Sequence, residues 1–350
     1  MENFLKKIGI EIIIPLILIL LLFTYFIAFS HNKKKILIIH SYSLNYSWVK
    51  SLNKGLNSVF RNKNNIRVDY HYMNTKLLNS DHDKQEAGAH ARQLIEVLKP
   101  DVVITCDDNA QNHVASYYVN HPRYVFVFTG VNGSLENYGF DKANNITGIV
   151  ERLPIKGLKD LLITLGKDHH SQGNIQVKHI SSSSLTVKLD DEDLHSYKDW
   201  SPITIVDSRI VNTFYDWKKA ILDANKQSNV ILISNYQKLT YSSDDTRIVP
   251  PKEIMGWTIN NSIIPIIGLN TFVVEDGGPL ALSVSAFEQG ETAAILALKI
   301  IQDKVSPAQI PIQKPQHFVV SMRPKLLEKF SIELPEIYYA FARMANLYFE

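Results

Sequence analysis

The chain has 350 residues, 45% hydrophobic and 21% charged, with a formal net charge of +2. Its length exceeds one ordinary core and suggests about two domains of roughly 150 residues each. Near-neutrality, with Lys33-Lys34-Lys35 as its only lysine block, argues against a nucleic-acid partner, and the single cysteine, Cys106, excludes an internal disulfide and a cysteine-rich zinc site.

Ile12 to Phe29 is almost wholly apolar, broken only by Pro15, Thr24 and Tyr25, with Lys6 and Lys7 in front. As a helix it would span about 27 Å, close to a bilayer core, so a transmembrane helix within residues 8–29 is expected. A cleaved signal peptide is the alternative, because Ala28-Phe29-Ser30 offers small residues for a cut. The uncleaved anchor is preferred, since Lys33 to Lys35 would otherwise stand just inside the mature chain, where positive charge hinders export. By the positive-inside rule alone the same lysines argue for a cytoplasmic body, so charge leaves the sidedness open.

From Ile36 the chain alternates strand and helix. Ile36 to Ile39 reads as a strand, Tyr46 to Phe60 as a helix with Trp48, Leu52, Leu56, Val59 and Phe60 on one face, and Arg67 to Met73 as the next strand. Lys84 to Leu98 is a helix stopped by Pro100. Strand, helix and strand follow through Asp101 to Asp107, Asn109 to Val119 and Tyr124 to Val131, the winding of right-handed βαβ units. Beyond Ile146 to Glu151 and a helix over Ile155 to Leu165, strands near Ile175 to Ile180, Pro202 to Val206, Val230 to Ile233 and Ile263 to Ile267 alternate with helices near Leu185 to Tyr197, Thr213 to Asn225 and Pro251 to Asn260.

Two late strands, Ala281 to Ser285 and His317 to Met322, flank a helix over Glu288 to Asp303 and are expected to join sheets already built. The expected organisation is an anchor or signal at 1–35, lobe 1 at 36–150 with later strands from 271–350 added back, lobe 2 at 151–270, and crossover segments at 271–350. Such a chain passes between lobes more than once and makes a hinge.

Five apolar runs end in small polar or aromatic residues. They lead into His40-Ser41-Tyr42, Thr105-Cys106-Asp107-Asp108-Asn109, Thr129-Gly130-Val131-Asn132, Ser234-Asn235-Tyr236 and Gly268-Leu269-Asn270. Continuous Val/Ile/Phe runs suit strands buried on both faces, and open parallel sheets collect ligands beyond the carboxyl ends of such strands. Asp107, Asp108 and Asn109 can cap a helix, line a crevice, or do both. Tyr42, Tyr46 and Tyr236 can offer ring faces, whereas Trp48 falls on an apolar helix face and reads as core. Glu151 can meet a ligand ammonium or stand solvated at a hinge.

No Gly-x-Ser-x-Gly elbow, His-Glu-x-x-His helix, Walker loop or Gly-x-Gly-x-x-Gly turn occurs. Asp107 and Asp108 are a poor acid/base pair, because adjacent residues leaving a strand point in different directions. The twelve histidines are scattered. Neither a metal nor a cofactor is expected, and the chain is read as a binder, not an enzyme.

Together these stretches resemble the substrate-binding proteins of ABC transporters with the type 1 periplasmic-binding fold, and related extracytoplasmic sensor domains. The likeness is carried by Ile36-Leu-Ile-Ile-His-Ser-Tyr42 with Trp48 and Gly55, Lys99-Pro-Asp-Val-Val-Ile-Thr-Cys-Asp-Asp-Asn-Ala110, and Phe128-Thr-Gly-Val-Asn132. It continues through Ile146-Thr-Gly-Ile-Val-Glu151, Gly277-Gly-Pro-Leu-Ala-Leu-Ser283 and Phe287-Glu-Gln-Gly-Glu-Thr-Ala-Ala294. The resemblance implies an α/β fold of two lobes, each a mostly parallel sheet flanked by helices, closing on a small solute such as an amino acid, sometimes an aromatic one. By position, lobe 1 would contribute Ser41, Tyr42, Asp107, Asp108, Asn109, Thr129, Gly130 and Asn132. Lobe 2 would add Glu151, Ser181, Ser182, Asn235 and Tyr236, with Asp276 near the hinge. The implied partner is an ABC permease or a separate membrane sensor, with the body facing the periplasm or cell exterior. No lipoprotein cysteine follows the apolar segment and no kinase or cyclase domain follows the lobes, which leaves transport and sensing both open.

Overall fold

The computed structural model describes residues 15–23, 33–78, 80–168 and 174–350. Residues 15–23 are helical, with Leu16 to Phe23 exposed. Among the described residues no helix is long and apolar enough to cross a membrane, and the rest of the expected span lies outside them.

The first lobe winds as β1 (Lys34–His40), α1 (Ser47–Phe60), β2 (Ile66–Tyr72), α2 (Asp81–Leu98), β3 (Val102–Cys106), α3 (Asp107–His113), β4 (Phe126–Val131) and β5 (Ile146–Val150). Its five strands are all parallel, in the order β2-β1-β3-β4-β5. The period of two in β1 divides the core: Ile36 and Ile38 face a cluster with Leu52 and Leu56 of α1, while Leu37 and Ile39 face Ala91 and Ile95 of α2. Burial on both faces explains why these strands are continuous apolar runs.

The second lobe runs through α4 (Ile155–Asp168), β6 (Ile175–Ser182), α5 (Leu185–Ser196), β7 (Ile203–Val211), α6 (Phe214–Gln227), β8 (Val230–Ile233), α7 (Pro251–Asn261), β9 (Ile266–Gly268), α8 (Phe272–Glu275) and β10 (Leu280–Val284). The chain then returns to lobe 1 as α9 (Ala286–Gln302) and re-enters lobe 2 as β11 (Phe318–Met322), α10 (Pro324–Lys329) and α11 (Glu336–Met344). The second sheet has the order β11-β10-β9-β8-β6-β7 and is parallel except for β11, which runs antiparallel to β10.

Several expectations need correction. Both late strands extend the second sheet, so no strand beyond residue 271 is added back to lobe 1; the returning element is α9. It docks there because glycines face backbone at the contact: a Cβ at Gly290 would lie 2.0 Å from the Leu52 carbonyl oxygen, and one at Gly55 2.0 Å from that of Phe287. The strand expected from Ile263 begins at Ile266, and Ile263 is 78% exposed. The short helices α10 and α11, each preceded by or starting at proline, were not evident as periodic runs.

Candidate functional site

The carboxyl ends of β1, β2, β3 and β4 open toward the matching ends of the second sheet, and the gap is a cleft of about 320 Å³ lined from both lobes. Of the residues named from sequence, Tyr42, Asp107, Asp108, Asn109, Asn132 and Glu151 line it, joined by Asn235 from lobe 2.

The other candidates sit behind the wall. Ser41 is fully buried: its hydroxyl donates to the Cys106 carbonyl at 2.7 Å and accepts the Ala110 N–H at 2.8 Å, fixing the start of α3. Thr129 and Gly130 bond to Gln289. Ser181 and Asn235 exchange hydrogen bonds through the serine hydroxyl, both at 2.9 Å, which holds Asn235 at the cleft edge. Ser182 is buried nearby, and Ser184 and Thr186 reach the cleft instead. Tyr236 is fully enclosed in the lobe 2 core against Trp217 and Phe272, its hydroxyl donating to Asp276 at 2.8 Å. Neither Tyr236 nor Asp276 is part of the cleft lining.

Two carboxylates differ sharply in their bonding. Asp108 accepts the Gly133 N–H and the Tyr138 hydroxyl, both at 2.8 Å, and so braces the turn after β4. Asp107 stands in the left-handed region at φ +65° and, although buried, has an Oδ2 without a hydrogen-bond partner among the described residues. Burial first, then the neighbouring Asp108 charge, push its carboxyl well above the usual range, while the Lys76 ammonium and the nearby Trp48 indole pull the other way. Trp48 Nε1 is buried beside this carboxylate but outside ordinary hydrogen-bond geometry. The Trp48 ring packs on the α1 and α9 core as its helical position suggested, but its polar edge borders the cleft. Glu151 accepts from Asn132 Nδ2 at 3.1 Å; burial and the charges of Asp107, Asp190 and Asp108 raise its carboxyl well above normal.

The opposite charge is supplied by Lys76, in a 3-10 turn after β2. Its ammonium lies 3.7 Å from the Tyr46 ring centre and 4.6 Å from that of Tyr42, the two rings meeting edge to face at 5.6 Å. Partial desolvation between the lobes lowers the Lys76 pKa to about 8, although the residue as a whole stays exposed. Sequence reading missed Lys76 because Arg67 to Met73 alternates, the mark of an edge strand; the strand-end rule applied to β2 would have found it.

Lobe 2 also holds a serine–histidine–aspartate relay. Ser234 Oγ lies 2.9 Å from His179 Nε2, and His179 Nδ1 lies 3.1 Å from Asp191 Oδ1. Ser234 and His179 are fully buried, so no substrate reaches the hydroxyl, and the relay braces the ends of β6 and β8. A grouping of potential metal ligands among the described residues, His82, Asp83 and Glu86, is exposed near the start of α2.

A family model for ABC transporter substrate-binding proteins matches residues 38–344. The chain belongs to that family. No curated protein sequence matches this substrate-binding protein, but solved structures share its fold. The ligand-free, open structure of CD0873, a substrate-binding protein with adhesive properties from Clostridium difficile, is similar at a TM-score of 0.64 and 16% identity, covering 86% of this chain and 96% of that one. An ABC domain from Streptococcus pneumonia in complex with L-Trp gives 0.60 and 14%, covering 87% and 98%. An arabinose-binding protein from Geobacillus stearothermophilus gives 0.57 and 12%, covering 85% and 99%. The two-lobed α/β architecture expected for the substrate-binding protein is therefore the one observed.

Proposed function

We propose that this substrate-binding protein captures an amino acid or similar zwitterion carrying a ring, and delivers it to an ABC permease without chemical turnover. The observation that carries the reading is opposite charge in one cleft: the Asp107 carboxyl, with the Trp48 indole beside it, and the Lys76 ammonium over two tyrosine rings. Asp107 suits an ammonium, Lys76 a carboxylate, and Tyr42 and Tyr46 a ring face. The L-Trp in the similar pneumococcal domain supports an aromatic amino acid. A guest touching both lobes favours closure only by its differential affinity for the closed form. The body faces the periplasm or cell exterior, held by the apolar amino-terminal segment.

The test is a thermal-shift screen of the full chain in detergent against the twenty amino acids, then nucleosides and sugars. An aromatic amino acid at one hundred times its Kd should add about 2.7 kcal/mol of stability. Absence of stabilisation by any amino acid, or consumption of a stabilising compound, overturns the proposal. The competing reading, a sensor module acting on a separate membrane partner, is selected instead if ligand-loaded protein fails to stimulate transport by a reconstituted permease yet retains ligand binding.

A further inference from the structure

Three stretches of chain cross between the lobes: after Val150, after Val284, and through residues 311–317. Two neighbouring side chains at the start of α9, Glu288 and Gln289, tie all three together without lining the cleft. Gln289 is fully buried. Its Oε1 accepts the Gly130 N–H at 2.9 Å and lies 3.0 Å from Thr129 Oγ1, while its Nε2 donates to the Val150 carbonyl at 3.0 Å. A backbone N–H requires the amide oxygen and a backbone carbonyl requires the nitrogen, so the amide has one orientation. The second crossing is thereby bonded to the first.

The third joins through Gln313, which accepts the Val150 N–H at 3.1 Å and donates its own to the Gly148 carbonyl at 2.8 Å. Glu288 closes the ring from the other side. Its two oxygens accept the N–H groups of Gln316 at 2.7 Å and His317 at 3.0 Å, and its own N–H donates to Ser285 Oγ at 3.2 Å. The same amide seats the cleft floor. Gly130, at φ +67°, abuts Asp107 so closely that a Cβ would lie 3.0 Å from Oδ1, and Val150 immediately precedes Glu151.

We propose that Glu288 and Gln289 are positioning residues that clasp the three crossings into one pivot, so that the lobes turn as rigid bodies while Asp107 and Glu151 keep their places. A single crossing strand has freely rotating dihedrals, and three unlinked ones would let the lobes slide as well as turn. Removing the Gln289 amide leaves the Gly130 N–H and the Val150 carbonyl unpaired where water does not replace it, so the joint loosens at the pivot first. The proposal rests on the reading of a two-lobed closing protein, but not on any particular ligand.

The experiment measures ligand-free full-length protein by pulsed electron paramagnetic resonance. Nitroxides placed through Arg61→Cys and Asp244→Cys report across the lobes, and a pair at Arg61→Cys and Lys99→Cys reports within lobe 1; Cys106 is buried and escapes labelling. Gln289→Ala is expected at least to double the width of the inter-lobe distance distribution and to leave the lobe 1 pair unchanged. Gln289→Glu, which keeps the acceptors and loses the donor toward Val150, should fall between wild type and Gln289→Ala. An unchanged inter-lobe width in folded Gln289→Ala, or equal broadening of both pairs, overturns the proposal. Should Gln289→Ala not fold, Glu288→Gln decides by the same criterion. No ligand is needed, so failure here leaves solute capture untouched, and failure of the solute screen leaves the clasp standing.

Discussion

Asp190 on α5 is buried beneath the lobe 2 side of the cleft, and burial pushes its carboxyl up to about 7, against an opposing hydrogen bond from Ser234. In the unfolded chain the same group titrates near 3.8. Between those values the folded protein holds the proton more tightly than the unfolded chain, so stability falls as pH rises through the window and is flat above it. About three pH units at about 1.4 kcal/mol each amount to a loss on the order of 4 kcal/mol. Asp190→Asn is nearly isosteric, stays neutral, and still offers Ser234 an oxygen. Its stability relative to wild type should therefore rise by that amount from pH 4 to pH 8. Glu151, which lies in the field of Asp190, adds in the same direction. His40, buried and lowered to about 4, acts with opposite sign, gaining stability as pH rises from 4 to 6.5, but it is common to both proteins and cancels in the difference. Urea unfolding at unit steps of pH measures the effect. A variant-minus-wild-type difference that stays constant within about 1 kcal/mol across the range would refute the electrostatic reasoning.

Four further outcomes are expected. Asp107→Asn should weaken binding of the stabilising amino acid at least about tenfold, the scale of a charge-assisted hydrogen bond, by calorimetry, while the melting temperature of the free protein holds or rises, because burial disfavours the charged carboxylate and the amide is nearly isosteric and always neutral. Trp48→Phe keeps an aromatic ring and deletes the N–H beside Asp107, so affinity should drop while the melting temperature moves by less than about 4 °C; a larger drop would make the tryptophan purely a core residue. Tyr236→Ala should cost about 3–5 kcal/mol in urea unfolding as a core truncation, and Tyr236→Phe should leave affinity unchanged. Gly290→Ala drives a methyl group against the Leu52 carbonyl and should cost about 1–3 kcal/mol or more by separating α9 from α1.

The winding of both lobes and the location of the crevice are local properties and could be read from residue order alone. Ile36 to Ile39, Val102 to Ile104 and Val230 to Ile233 have no polar side to give to water, so they must be covered on both faces, and the polar residues that follow them must emerge at one end of a parallel sheet. Tyr42, Asp107, Asn132 and Asn235 were found that way. Direction beyond the strand end is not local. Tyr42 and Tyr236 occupy like positions in sequence, yet one faces the cleft and the other turns into the core toward Asp276. Helical periodicity placed the Trp48 ring on the core and could not say what its far edge meets, because that neighbour, Asp107, comes from another βα unit. The late strands and α9 carry no signal of which lobe they join; Gly55 against the Phe287 backbone, Gly290 against that of Leu52, and the antiparallel pairing of β11 on β10 decide it. Tertiary contact alone sets those choices, because each depends on shape and hydrogen-bonding valence brought together from distant parts of the chain.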